Sequence, residues 1–427
     1  MDQAGAQTNT TGEPQQAATE ARRRLVDELR NRGIVSSEVV AQTVAAVPRE
    51  AFMPPETPLE EAYGVDSAVI TKKDEHGRSI SSVSAAYIQA AMLGQADLTT
   101  GMQVLEIGSG GLNAAYIAEI VGATGRVVTV DIDPDVTQRA VDALKGTIYE
   151  DRVEVLTMDA EHPAPVEDIP EKGFDAIIVT VGAWDIAPAW LEQLAPAGTL
   201  VVPLLMNGSS RVIAFQPTGG PGSDHLVSTS QQVAGFVPMQ GEGSNDGRTL
   251  LIPDVDRTHL RLLFDKDYPA TPGDLDGLLA TPMHETGSDV VVAAGESFID
   301  LYLRMSWNAE GVCRLIPEPG SEFGKQESWF PFGVAAGSGL AYVASRRVPD
   351  GSGFEMTARA YGADHSEAAS VLIEQIRAWD EAGRDQAPAP TYRYWPNRHE
   401  APTGALDPGS RALAKRHGVL TVSWATS

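Results

Sequence analysis

The sequence is short of several things that would each have pointed to a class of function. It holds one cysteine, Cys313, in 427 residues, which excludes a disulfide framework and fits a reducing, cytoplasmic setting. Its eight histidines are scattered with no metal-ligand spacing, so no metal site is expected. Basic residues are outnumbered, 32 Lys and Arg against 58 Asp and Glu, for a net charge of −26. That balance excludes a nucleic-acid partner, because binding phosphates needs a basic stripe. The Arg22–Arg24 triplet is the one notable basic run, and it reads as a solvated helix face. No apolar run approaches the roughly 20 residues a membrane span needs, and no signal peptide is read at the N-terminus, so no membrane partner is expected. What remains is a chain too long for one ordinary domain, with a 42% hydrophobic share that supports sizeable cores.

The most informative stretch runs from Val104 to Asp133. Val104–Ile107 is an apolar run of strand length that stops at Gly108, and Gly110 and Gly111 allow a tight turn with close backbone approach to a ligand. A helix over Ala114–Val121 and a second buried strand over Arg126–Val130 complete a βαβ unit, with its ligand crevice at the carboxyl ends of the strands. Asp131 ends the second strand about 20 residues after the glycines, where a carboxylate can accept both ribose hydroxyls. The full G-x-G-x-x-G fingerprint is missing, and the first strand ends in acidic Glu106. An acid there suits a ligand carrying an amine and a sulfonium, which points to S-adenosylmethionine and a methyltransferase nucleus.

In chain order, residues 1–16 are rich in Gln, Thr, Gly and Pro and are expected to be a disordered tail. Helices follow over 17–31 and 37–46, the second stopped by Pro48. Ala68–Ile70 reads as a strand, Lys72–Arg78 as a charged turn, and the segment from Ser84 to Leu93 as a helix capped by Ser84. Ser84 can be only that cap, or it can help the helix start to hold a carboxylate. Beyond Asp133 the pattern alternates: helix 134–144, strand 153–157, strand 174–180, helix 188–194, and strands 198–203 and 211–216. This predicts an α/β, doubly wound, mostly parallel sheet covered on both faces. Asp159, just past a strand, can bond an exocyclic amine such as adenine N6, or be a plain loop aspartate.

From about Leu25 to Gly241 these residues resemble the protein-L-isoaspartate O-methyltransferase family. The resemblance is carried by Val47-Pro48-Arg49-Glu50-Ala51-Phe52-Met53-Pro54, Ala62-Tyr63 with Asp66, and Val83-Ser84-Ala85-Ala86-Tyr87-Ile88. It continues through Val104–Gly110, Val130–Asp133, Phe174–Thr180, Gly198–Pro203 and Phe236-Val237-Pro238-Met239. It implies a Rossmann-like class I methyltransferase domain over 17–243. It places S-adenosyl-L-methionine, with S-adenosyl-L-homocysteine as product, on Glu106, Gly108, Ser109, Gly110, Asp131, Ile132, Asp159, Ala160 and Thr180. It makes Ser84 the catalytic residue, holding the acceptor carboxylate, with Val83, Ala85 and Asp66 on the substrate side. The chain departs from the family's pattern at Ala86, at Gly111-Leu112-Asn113 and at Val65, all on the substrate side or pocket rim.

The family's repair enzymes end soon after Gly241, so 244–427 is expected to form a C-terminal α+β domain for substrate recognition. Strands are read at 289–294, 298–305, 340–346, 354–359 and 419–424. A helix is read over 366–381 with Ala369, Leu372, Ile373, Ile376 and Trp379 on one face and a capping box from Asp364 to Glu367. The domain's aromatics serve either as core or as an apolar peptide groove. The long tail resembles the FxLD-system methyltransferases of lanthipeptide and related ribosomal-peptide clusters. That implies methylation of an Asp side chain in a modified precursor peptide, with a succinimide and then isoaspartate following. The alternative is repair of isoaspartyl proteins, and a non-enzymatic reading is a degenerate domain serving as a peptide scaffold.

Overall fold

The computed structural model describes residues 12–35, 37–75, 77–108, 110–165, 172–218, 225–245, 247–265, 275–398, 400–401 and 409–424, with side chains from residue 15 onward. The chain forms two units, one of residues 1–204 with 211–244 and one of residues 205–210 with 245–427.

The first unit opens with helices α1 (Gly12–Asn31) and α2 (Glu38–Ala46) and the one-turn α3 (Leu59–Ala62). The expected tail at 1–16 therefore shortens: 1–11 lie outside the described residues, and 12–16 belong to α1. Glutamines are good helix formers, and the Thr19 hydroxyl donates back to the Gln15 carbonyl at 2.8 Å. Next come the antiparallel hairpin β1 (Val69–Lys73) and β2 (Ser79–Val83), then α4 (Ala86–Ala96). The α/β core follows as β3 (Gln103–Ile107), α5 (Leu112–Val121), β4 (Arg126–Asp131), α6 (Pro134–Leu144), β5 (Val153–Thr157), β6 (Phe174–Val179), α7 (Pro188–Gln193), β7 (Leu194–Met206), β8 (Ser209–Pro217) and β9 (Leu226–Val233).

Sheet order in this unit is β9-β8-β7-β6-β3-β4-β5. Strand β3 pairs in parallel with both β4 and β6, so the order reverses beside it and the crevice opens at its carboxyl end. Val104 and Leu105 point to opposite faces of β3 and both are buried, which is why this strand reads as a continuous apolar run. The α/β, doubly wound reading holds.

The second unit contains β10 (Arg248–Pro253), β11 (His259–Phe264), β12 (His284–Val292), α8 (Ile299–Asn308), β13 (Val312–Pro317), β14 (Trp329–Ala336), β15 (Gly339–Arg347), β16 (Phe354–Gly362), α9 (His365–Glu381), β17 (Thr391–Pro396), β18 (Arg411–Ala414) and β19 (Gly418–Ser423). A seven-stranded sheet runs β10-β11-β13-β14-β15-β16-β12, and a further antiparallel run is ordered β18-β19-β17. Ala341 and Val343 of β15 pack with Leu301 and Trp379 of the helices, while Leu340 and Tyr342 join Leu262 and Phe323 in a separate cluster. Of the aromatics weighed for a groove, Trp307, Tyr392, Tyr394 and Trp395 are buried, while Trp329, Phe330 and Phe332 are partly exposed.

Two readings are corrected here. Residues 298–305, expected as a strand, form α8. Ile299, Leu301, Leu303, Met305 and Trp307 alternate like a strand, but the run packs as a helix against α9. Asp364 does sit at the start of α9 but makes no cap bond. Its carboxylate accepts instead from the Ser338 N–H at 2.9 Å and hydroxyl at 2.8 Å.

Candidate active site

The carboxyl ends of β3, β4 and β5 bring the sequence-read acids together. Glu106 lies near the end of β3, Asp131 ends β4, and Asp159 follows β5; pairing Asp131 with Thr157 keeps these ends level. Between β3 and α5 the chain turns at Gly108, φ +97°, where an added Cβ would sit 2.5 Å from the Thr180 hydroxyl oxygen. A side chain is thus barred by both conformation and space. Gly110 has open space where a Cβ would be. Ser109 lies outside the described residues.

Glu106 is fully buried. Its Oε2 accepts from the Thr129 hydroxyl at 2.5 Å, and its Oε1 has no hydrogen-bond partner among the described residues. The Asn113 amide faces it without reaching hydrogen-bond geometry, and both Asn113 polar atoms likewise lack partners among the described residues. Burial pushes the carboxyl up to about 7, the Asp131 charge adds to this, and Thr129 opposes it.

Asp131 Oδ1 accepts from the Asp133 N–H at 2.9 Å, and neighbouring Ile132 exposes an apolar side chain. Asp159 accepts from the Glu161 N–H at 3.0 Å and the Glu242 N–H at 2.8 Å. The short turn Gly241–Gly243 thereby lies over Asp159 and Ile132. It is anchored by Gly182, whose N–H donates to Val237 and whose carbonyl accepts from Met239. Ala160 is buried, and its carbonyl accepts from the Trp190 indole at 2.7 Å. The Thr180 hydroxyl donates to the Gly108 carbonyl at 2.6 Å, so in this structure it secures the glycine turn.

On the other wall, Ser84 shares a crevice with Val83, Gly108, Gly110, Asn113, Thr180 and Phe236. Ser84 is not the helix cap: α4 is capped at Ala85, with no side-chain cap bond. Among the described residues, neither the Ser84 hydroxyl nor the N–H groups of Ala85 and Ala86 find an acceptor, while the Tyr87 N–H is taken by Val65. Asp66 does not line this crevice. Its side chain is 65% exposed and pairs with Arg32 at 2.8 Å.

Sequence reasoning passed over Arg49 as a site residue. It is 1% exposed, and its guanidinium donates to the Ala62 carbonyl at 2.7 Å, the Ser84 carbonyl at 2.5 Å and the Gln89 side chain. Its signal was the charged pair Arg49-Glu50 inside the otherwise apolar block 47–54. Among the described residues no metal-binding cluster occurs and no helix is long and apolar enough to cross a membrane.

The fold and this crevice define a class I, Rossmann-like methyltransferase. The family model described as Protein-L-isoaspartate(D-aspartate) O-methyltransferase (PCMT) matches residues 20–243. A protein-L-isoaspartate O-methyltransferase of Methanopyrus kandleri is 38% identical over 185 residues, covering 43% of this chain and 76% of that protein. Protein-L-isoaspartate O-methyltransferase 2 of Archaeoglobus fulgidus is 34% identical over 228 residues, covering 52% of this chain and 94% of that protein. A solved protein-L-isoaspartate O-methyltransferase aligns over 85% of this chain and 92% of its own, at 21% identity and a TM-score of 0.46. The chain belongs to the protein-L-isoaspartate(D-aspartate) O-methyltransferase family of protein carboxyl O-methyltransferases, which use S-adenosylmethionine. The residues present fit that group: an unpaired buried carboxylate oxygen, an open glycine turn and carboxylates ending adjacent strands.

Proposed function

We propose that this protein methylates the free carboxylate of L-isoaspartyl residues in proteins or peptides. The observation that carries the reading is the set of three donors with no acceptor among the described residues, the Ser84 hydroxyl and the Ala85 and Ala86 N–H groups, at the start of α4, with Ser84 on one crevice wall with Gly108 and Gly110. Glu106, the glycine turn, Asp131 and Ile132 hold the cofactor, with Asp159 and Ala160 at its adenine end and Thr180 acting through the turn. When bound, S-adenosylmethionine supplies an electrophilic sulfonium methyl group.

At neutral pH a carboxylate acceptor, with a pKa of roughly 4, is already ionised, so no general base is required. The chain's task is to hold the acceptor oxygen close and in line. Methyl transfer consumes charge, since an anion and a sulfonium become an ester and a thioether. A cation placed directly on the acceptor would stabilise the reactants more than the transition state. Neutral donors such as Ser84 and backbone N–H groups orient the acceptor with a smaller penalty of that kind. The resulting ester can expel methanol where a carboxylate would have to lose oxide, so the following backbone nitrogen can attack the ester carbonyl, its proton leaving with the methoxy group, and close a succinimide without the enzyme.

A second reading has one observation in its favour. The family match stops at residue 243, while the second unit continues through β19. A dedicated recognition unit suits one substrate, such as an Asp in a ribosomally made, lanthipeptide-like precursor. Mass spectrometry decides between them after the enzyme and S-adenosylmethionine meet an unstructured isoaspartyl peptide, its aspartyl twin and a modified precursor peptide. Methylation of the isoaspartyl peptide alone is the expected result. Methyl gain or water loss on the precursor alone replaces the proposal with the second reading.

A further inference from the structure

Arg49 stands out as a charge buried without a counter-charge. It is 1% exposed, yet among the described residues no carboxylate comes within ion-pair distance. A buried guanidinium is retained at a cost unless its donors are satisfied. Here all three nitrogens donate to neutral acceptors on three separate segments: Ala62 at the end of α3, Gln89 in the first turns of α4, and Ser84 between β2 and α4. The planar fork suits this task, because its donors leave in fixed, divergent directions that an ammonium cannot reproduce.

The adjacent Glu50 faces outward to different partners, the Tyr63 hydroxyl and Arg22 of α1. Residues 49–50 therefore tie the N-terminal helices to the segment carrying Ser84. Arg49 reaches Ser84 through its carbonyl and not through its hydroxyl, which has no partner among the described residues.

We infer that Arg49 is a positioning residue for methyl transfer: its guanidinium fixes the Ser84 loop and the start of α4, so that the acceptor donors keep one orientation. The inference rests on Ser84 serving the acceptor. It also fits the charge argument, because the cation acts one layer behind the donors and not on the acceptor itself.

The test compares wild type, Arg49→Lys, Gln89→Leu and Ser84→Ala, alone and combined. Arg49→Lys should lower kcat on an isoaspartyl peptide by about 30-fold or more, since small misplacement of reacting groups costs up to about 100-fold. The affinity for S-adenosylhomocysteine should stay within about 3-fold, because the fork donates to Ala62, Gln89 and Ser84 and to none of the residues proposed to hold the cofactor. In the Ser84→Ala background the same change should cost less than about 3-fold, as expected for residues acting as one unit. Gln89→Leu, which frees one arm of the fork, should give a smaller loss of about 5-fold and keeps the test open if Arg49→Lys does not fold. Hydrogen exchange over residues 84–88 should speed up in either folded variant, a readout that needs no substrate. Unchanged exchange, a retained kcat, or full additivity with Ser84→Ala overturns the inference. Failure of wild type to methylate the peptide counts against the proposed function alone, since the exchange result still reports on Arg49.

Discussion

Asp159 and Glu242 are 83 positions apart in the chain, and the Glu242 N–H donates to Asp159 Oδ2 at 2.8 Å. That bond holds a short turn over the side chains proposed to meet the adenine ring. The turn tolerates no added atom at Gly241: φ is +77°, and a Cβ would stand 2.2 Å from Asp159 Oδ2 and 2.7 Å from Ile132 Cδ1. Gly241→Ala should therefore displace Asp159 and weaken S-adenosylhomocysteine binding by about 10-fold, a loss of about 1.4 kcal/mol. Titration calorimetry checks this; unchanged affinity would show that the turn's position does not matter to the cofactor.

Ser84→Ala removes one hydroxyl from the acceptor side and nothing from the glycine turn. Turnover should fall by about 100-fold, in the range found for a lost positioning contact, with cofactor affinity kept. Kinetics with an isoaspartyl peptide and calorimetry with S-adenosylhomocysteine measure the two separately. An unchanged rate would sink the role given to Ser84.

The parts legible in the sequence were those built from neighbouring residues. Buried parallel strands write themselves as apolar runs, so β3, β4 and β6 were readable, as was the end of β3 at Gly108, whose backbone bars a Cβ. The parts that were missed depend on distant partners. Nothing near residue 49 says that its side chain will meet Ser84 and Gln89, and nothing near Asp159 announces Gly241. Thr180 sits where a cofactor contact was expected, but its hydroxyl is committed to Gly108, and Asp66 is drawn to Arg32. The alternation at 299–307 was a real strand-like signal, overridden by packing against α9.

Glu106 gives the protein a pH dependence of definite sign. Its carboxyl is raised from 4.5 to about 7 by burial, so the folded protein holds a proton that the unfolded chain has released between those values. The stability contributed by protonated Glu106 is complete below the unfolded pKa and is lost as pH rises through about 7. Glu106→Gln cannot ionise. Denaturant unfolding at pH 5 and pH 8 should show a smaller fall in stability for this variant than for wild type, by about 2 kcal/mol. An equal fall in both proteins would mean that Glu106 is already ionised in the folded state.

Asp385 explains how α8 forms where its own sequence suggested a strand. Its Oδ2 accepts from the Ile299 N–H at 2.9 Å and the Ser297 hydroxyl at 2.6 Å, and its Oδ1 accepts from the Asp300 N–H at 3.1 Å. The same Oδ1 receives the indole N–H of Trp379, a fully buried side chain on α9, at 2.9 Å. One carboxylate thus supplies the helix start with the acceptor that its own first residues lack, and places negative charge at the positive end of its dipole. Asp385→Ala should strip acceptors from two helix N–H groups and orphan a buried indole donor, costing about 2–4 kcal/mol. The loss should appear as a lower unfolding temperature, while affinity for S-adenosylhomocysteine is unchanged because the residues proposed to hold the cofactor lie in the first unit. Asp385→Asn, which keeps one acceptor oxygen, should recover part of the stability. If alanine and asparagine behave alike, the charge rather than the hydrogen bonds holds α8 in place.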